Sequence, residues 1–200
     1  MRDGAWAKLL CVSVCALASG FGPAAASGAE TPAVSPAGCL ASGDGFLRAR
    51  IRGALNLDID WGNAQLECEG EPRPDGHGIR VSFAGPPQPD GRRIRIVFGV
   101  ATRAEGAGGR ELPTNITLIF EGEKRLFTTR GDDRCTADRL RQEKLPDPGV
   151  RTYRVLARGF CTLPAMSLDR AERIVITRFD FAGRVSFEDS PLDSPPQVPR

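Results

Sequence analysis

The chain holds one histidine, one tyrosine and two tryptophans in 200 residues. A single histidine, His77, excludes any multi-histidine metal site. Every Ser-His-Asp or Cys-His arrangement would have to use it. It stands in Asp75-Gly76-His77-Gly78, the composition of a turn. With so few amphipathic rings there is little to build a sugar platform, or to stack the bases of a single-stranded nucleic acid. Lysine is scarce as well: Lys8, Lys124 and Lys144 are the only three, and arginine carries the rest of the positive charge. That bias, with abundant Ala, Gly and Pro, is the usage of a GC-rich bacterial genome. No Cys-x-x-Cys occurs, which argues against a thiol oxidoreductase, and the cysteine spacings fit no zinc ribbon. A phosphate-binding Walker loop, a dinucleotide fingerprint and a metalloprotease helix motif are all missing. No stretch approaches the ~20 apolar residues that span a bilayer as a helix.

The longest apolar run, Leu9 to Ala18 (LLCVSVCALA), follows Arg2 and Lys8 and precedes Ala24-Ala25-Ala26. That order predicts a secretory signal peptide over residues 1–26. Residues 27–44, rich in Ser, Gly, Ala and Pro, read as a flexible leader that Cys39 pins down. Residues 45–188 read as a single β domain. Residues 189–200, Pro- and Asp-rich with few apolar side chains, read as a disordered tail. The whole chain carries a formal charge of +2, so there is no global pull toward nucleic acid.

Four of the six cysteines lie beyond the apolar run: Cys39, Cys68, Cys135 and Cys161. An even number in an exported chain predicts disulfides, with three connectivities open. The nearer pairs in sequence, Cys39–Cys68 and Cys135–Cys161, are the expected ones. Together with the leader they place the protein in a periplasm or outside the cell.

Period-two alternation is strongest from Phe46 to Trp61 (FLRARIRGALNLDIDW). Leu47, Ala49, Ile51, Leu55, Leu57, Ile59 and Trp61 share one parity; Arg48, Arg50, Arg52, Asn56, Asp58 and Asp60 share the other. This is strand with one buried and one wet face, with a bend at Arg52-Gly53-Ala54. A turn at Trp61 to Ala64 leads to a return strand over Gln65–Gly70. Short alternating segments follow at 79–83, 93–100, 114–120, 124–129 and 153–157, separated by Pro-Asp-Gly turns. The final strand region, 173–187, is long, and Ala182-Gly183 is the expected bend. Thr136 to Lys144 (TADRLRQEK) reads as a short helix, and Ser167 to Glu172 as a helical turn. The sum is an all-β fold of about eight or nine strands: an antiparallel β-sandwich, jelly-roll-like or Ig-like, with a closed β-barrel as the alternative. Short strands, the absence of aromatic girdles and a polar tail set an outer-membrane barrel aside.

Two arginine clusters are candidate anion sites: Arg48, Arg50 and Arg52 on one face, and Arg92, Arg93 and Arg95 beyond a turn. Asn56, Asp58 and Asp60 offer oxygens to a hard cation such as calcium. Their spacing spreads them over ~13 Å, so further ligands such as Asp132 and Asp133 would be needed. Glu67 and Glu69, two residues apart on one strand, have the separation of a glycosidase acid pair. Arg130-Gly131-Asp132 and the Asn115-Ile116-Thr117 sequon are chance matches in a chain of this composition. The functional reading is a non-enzymatic binding or structural accessory module, without a required cofactor. Its partner would be an anionic small molecule, a glycan or a protein; nucleic acid is disfavoured. The alternative is a carboxylate- or calcium-dependent hydrolase using Asp58, Asp60, Glu67 and Glu69.

Overall fold

The structure, a computed structural model, describes residues 38–102, 104–146 and 151–187. The expected signal peptide, most of the leader and the expected tail lie outside them.

The described residues form eleven strands: β1 Phe46–Gly53, β2 Leu57–Gly62, β3 Glu67–Pro72, β4 Ile79–Ala84, β5 Arg93–Val100, β6 Leu112–Glu121, β7 Arg125–Thr128, β8 Cys135–Lys144, β9 Thr152–Cys161, β10 Ala165–Ser167 and β11 Arg173–Ser186. Every pairing between them is antiparallel. One layer runs β2-β1-β11-β9-β8 and the other β3-β4-β5-β6-β7. On one side the layers are joined twice: β8 pairs with the start of β6, and β10 bridges β7 to the start of β11. On the other side β2 and β3 are edges with no further strand partner among the described residues, so the sandwich is not a closed barrel. That open side is held by the Cys39–Cys68 disulfide and by Asn63. The Asn63 Oδ1 accepts from the backbone of Leu40 at 2.8 Å and of Gly45 at 3.0 Å.

The core follows the alternation of the strands. Leu47, Ala49 and Ile51 of β1 are buried, as are Ile79, Val81 and Phe83 of β4 and Ile116 and Leu118 of β6. At its centre four fully buried rings meet. Phe98 lies 4.7 Å from Phe181, 5.1 Å from Phe179 and 6.0 Å from Phe83, centroid to centroid. These rings come from β4 and β5 of one layer and β11 of the other.

Five expectations are corrected. The stretch 46–61 is a hairpin and not one bent strand; Gly53, at φ +119°, takes the positive-φ position that ends β1. The return strand begins at Glu67, because Asn63–Gln65 form a 3-10 turn. β11 keeps an unbroken register with β9 through Ala182-Gly183. A Cβ on Gly183 would sit 2.7 Å from the Phe83 ring, so that glycine makes room for packing. The irregularity of β11 lies at Thr177, where the partner register jumps from Arg50↔Arg178 to Ile51↔Ile176. Finally, Thr136–Lys144 is strand. A bulge after Ala137 leaves Asp138 without a partner on β9 and puts the buried residues Ala137 and Leu140 three apart, the spacing of a helix face. Ser167–Glu172 is a strand end followed by a turn, in which the Ser167 hydroxyl bonds Asp169 and the Glu172 backbone.

Candidate functional site

The two arginine clusters end up on opposite outer faces, so they form no joint patch. On the outer face of β3–β6, Arg93 and Arg95 flank Glu121. Arg95 Nε donates to Glu121 at 2.5 Å, and Arg93 Nε donates to the other carboxylate oxygen. Arg93 also binds Glu67 at 2.9 Å, and Arg95 binds Glu69 and the Ser82 hydroxyl at 3.2 and 2.8 Å. Arg92 is held by Asp90 and Glu123. Glu67 and Glu69, the candidate acid pair, therefore serve two guanidiniums. Burial pushes the Glu121 carboxyl up, but hydrogen bonds and charge from Arg95 and Arg93 outweigh it and hold it below the usual carboxylate range.

A depressed carboxylate adds stability above its unfolded pKa, about 4.3 for Glu, and loses it as pH falls through the folded value. Glu121→Gln should therefore cost about 1–2 kcal/mol near pH 7. The gap in melting temperature between it and the parent should be smaller at pH 3 than at pH 7. An equal gap at both pH values would contradict the assignment.

The same layer carries a depression of about 410 Å³, lined by Arg73, Asp75, Arg80, Val97, Asn115 and Ile119 among others. Its cations are committed: Arg73 to Asp75 and Asp132 at 2.6 and 2.9 Å, and Arg80 to Glu71 at 3.2 Å. Asp132 is the acid of the Arg-Gly-Asp tripeptide, and Asn115 of the sequon donates to it, so both motifs are part of this scaffold. His77 lies in the β3–β4 loop, its backbone N–H bonded to Asp75.

The candidate cation ligands are divided. Asn56 is in the β1–β2 turn, outside either strand. Asp60 receives Arg48 at 3.0 Å, and Asp58 receives Arg52 at 2.8 and 3.0 Å with Arg50 at 3.5 Å. No group of three or more acidic, histidine or cysteine side chains placed to hold a metal occurs among the described residues.

The expected ligand face, Arg48, Arg50 and Arg52, is thus ion-paired across β1 and β2, but its neighbours are not. Moving outward from β1, one cross-strand row reads Asp60, Arg48, Asp180, Arg158, Arg139. The next reads Asp58, Arg50, Arg178. Arg139, Arg141, Arg158 and Arg178 are exposed and make no hydrogen bond or ion pair among the described residues. Two pairs of arginines stand directly opposite each other, Arg139 with Arg158 and Arg50 with Arg178. Two shallow depressions cover the face, sharing β11 between them. One of about 200 Å³ is bordered by Arg139, Arg141, Leu156, Arg158 and Asp180. The other, about 210 Å³, is bordered by Arg48, Arg50, Asp58, Asp60 and Arg178. The alternation Arg139-Leu140-Arg141 was the sequence signal for this site, and the helical spacing of Ala137 and Leu140 masked it.

No family model, curated protein or solved structure matches this chain. The assignment of function rests on the face itself.

Proposed function

We propose that the protein is an exported, disulfide-stabilised β-sandwich module that binds an anionic ligand on the outer face of β1, β11, β9 and β8. The supporting observation is two arginine pairs set opposite each other across strands, with four guanidiniums left without a partner among the described residues. Like charges directly opposite on a sheet are unfavourable, and the fold gains nothing from them. An anion laid across the strands reverses that sign and gives each planar fork a bidentate acceptor. Export is supported by the apolar run ahead of Ala24-Ala25-Ala26 and by two disulfides in an all-β fold. The reading is binding and not hydrolysis, because each candidate acid on either face is held by an arginine.

The test uses soluble inorganic polyphosphate. The full chain should bind it at low salt, and binding should weaken as salt screens the face. The fourfold variant Arg139→Gln/Arg141→Gln/Arg158→Gln/Arg178→Gln should lose at least about a hundredfold in affinity, since exposed guanidiniums contribute mainly through charge complementarity. Its melting temperature should stay within about 2 °C of the parent, because substitutions at contact-free surface positions are near neutral. Retained affinity in that variant would overturn the reading.

A further inference from the structure

One exposed apolar side chain stands at the border of the arginine face, and another lies in the loop that follows its strand. Phe160, on the outer face of β9, and Leu163, in the β9–β10 loop, are each 40% exposed. Phe160 is the residue after Gly159, the partner of Phe179, which sets it beside Arg178 at the edge of the basic rows. Leu163 follows the strand end at Cys161, its backbone N–H bonded to the Arg134 carbonyl. The unpartnered guanidiniums come from three different strands, spaced ~5 Å across the sheet and ~7 Å along it. The depressions among them are shallow, so nothing here encloses a small ligand. A two-dimensional array of cations on a broad sheet face, with one apolar side chain at its border and another in the loop that follows, matches a two-dimensional array of anions over a hydrocarbon layer. A linear polymer would meet only one row of it and leave Phe160 and Leu163 in water.

We infer that this face docks on a bilayer rich in anionic phospholipid headgroups. Arg139, Arg141, Arg158 and Arg178 contact the headgroups, and Phe160 and Leu163 enter the interface. The inference rests on the anion-binding reading above and names the ligand. Each cation near an anionic surface strengthens binding about fivefold, and burying apolar side chains adds to that. Arg48, Arg50 and Arg52 contribute less, because Asp58 and Asp60 pair with them and offset two of their three charges. Asp180, between Arg48 and Arg158, subtracts one charge from the array.

The experiment is co-sedimentation of the full chain with vesicles of phosphatidylcholine alone, and of phosphatidylcholine with 40% phosphatidylglycerol as a chosen probe of about physiological charge or above. Every variant keeps the apolar Leu9–Ala18 run, so any contribution from it is the same in all and is read on the neutral vesicles. Binding should appear on the anionic vesicles only and fall with salt. The fourfold arginine variant should lose about a hundredfold or more in partition. Phe160→Ser/Leu163→Ser should lose about tenfold on vesicles and keep its affinity for soluble polyphosphate. If the parent binds polyphosphate but not anionic vesicles, or if the apolar variant loses nothing on vesicles, the membrane inference fails and the anion-binding reading stands. If it binds neither, both fail.

Discussion

Phe98→Ala should cost about 3–5 kcal/mol, a large part of the ~5–15 kcal/mol that holds a domain of this size together. Phe98 is fully buried on β5, and three of its ring neighbours are Phe83 on β4 and Phe179 and Phe181 on β11. It is therefore packed against both layers at once. Truncation leaves a ring-sized void whose walls are three other rings, themselves fixed by strands that cannot close in without breaking register. Phe120→Ala provides the contrast. That ring is half-buried at the end of β6, 6.5 Å from Phe127 and under the Arg125 guanidinium, and its loss should cost well under half as much. Urea denaturation checks both: the midpoint should move strongly for Phe98→Ala with the slope unchanged. A cost below about 1 kcal/mol would mean that the two layers are held together elsewhere.

The period-two pattern disclosed the fold class because nearly every strand has one wet face. Leu47, Ala49 and Ile51 went inward and Arg48, Arg50 and Arg52 outward, as their parity requires. Parity also survived the error over 46–61. A hairpin in which Arg50 faces Asp58 keeps even residues opposite even residues, so the two-faced character was legible even though the chain reversal was not. What periodicity cannot register is a bulge. One extra residue in the β8–β9 ladder, Asp138, turned a strand into an apparent helix, and with it hid the strand that carries Arg139 and Arg141. Which arginines are satisfied is equally invisible in one dimension. Arg50 and Arg178 lie far apart in sequence, and only the β1–β11 register makes them neighbours. The first cluster looked like the site because its charges are consecutive on one strand, yet the adjacent strand supplies its counterions. The free cations of this face are spread over β8, β9 and β11, and only Arg139 and Arg141 fall within one local window.

Replacing both Cys135 and Cys161 by Ala should lower stability by about 3–4 kcal/mol, the chain-entropy cost of releasing a loop of this length. The cysteines are 26 residues apart and directly opposite each other at the ends of β8 and β9. Cys39–Cys68, 29 residues apart, closes a loop of nearly equal length, so its removal should cost a similar amount. For a domain of this size either loss corresponds to a fall in melting temperature of about 10 °C. The two should separate by function. Cys39–Cys68 secures the open side of the sandwich, between the β3 edge and the segment before β1. Cys135–Cys161 anchors the end of the hairpin whose outer face holds Arg139 and Arg158, with Phe160 one residue from the bridge. Without it the hairpin end can fray below the global unfolding transition, since local opening draws on fewer buried contacts. Vesicle and polyphosphate binding should then weaken several-fold at temperatures where the sheet as a whole is still folded. The variant lacking Cys39 and Cys68 should bind as the parent does at the same margin below its own melting point. Equal binding losses in both variants would place the anion site elsewhere than on β8 and β9. A melting temperature unchanged in either would show that its loop is already constrained in the unfolded chain.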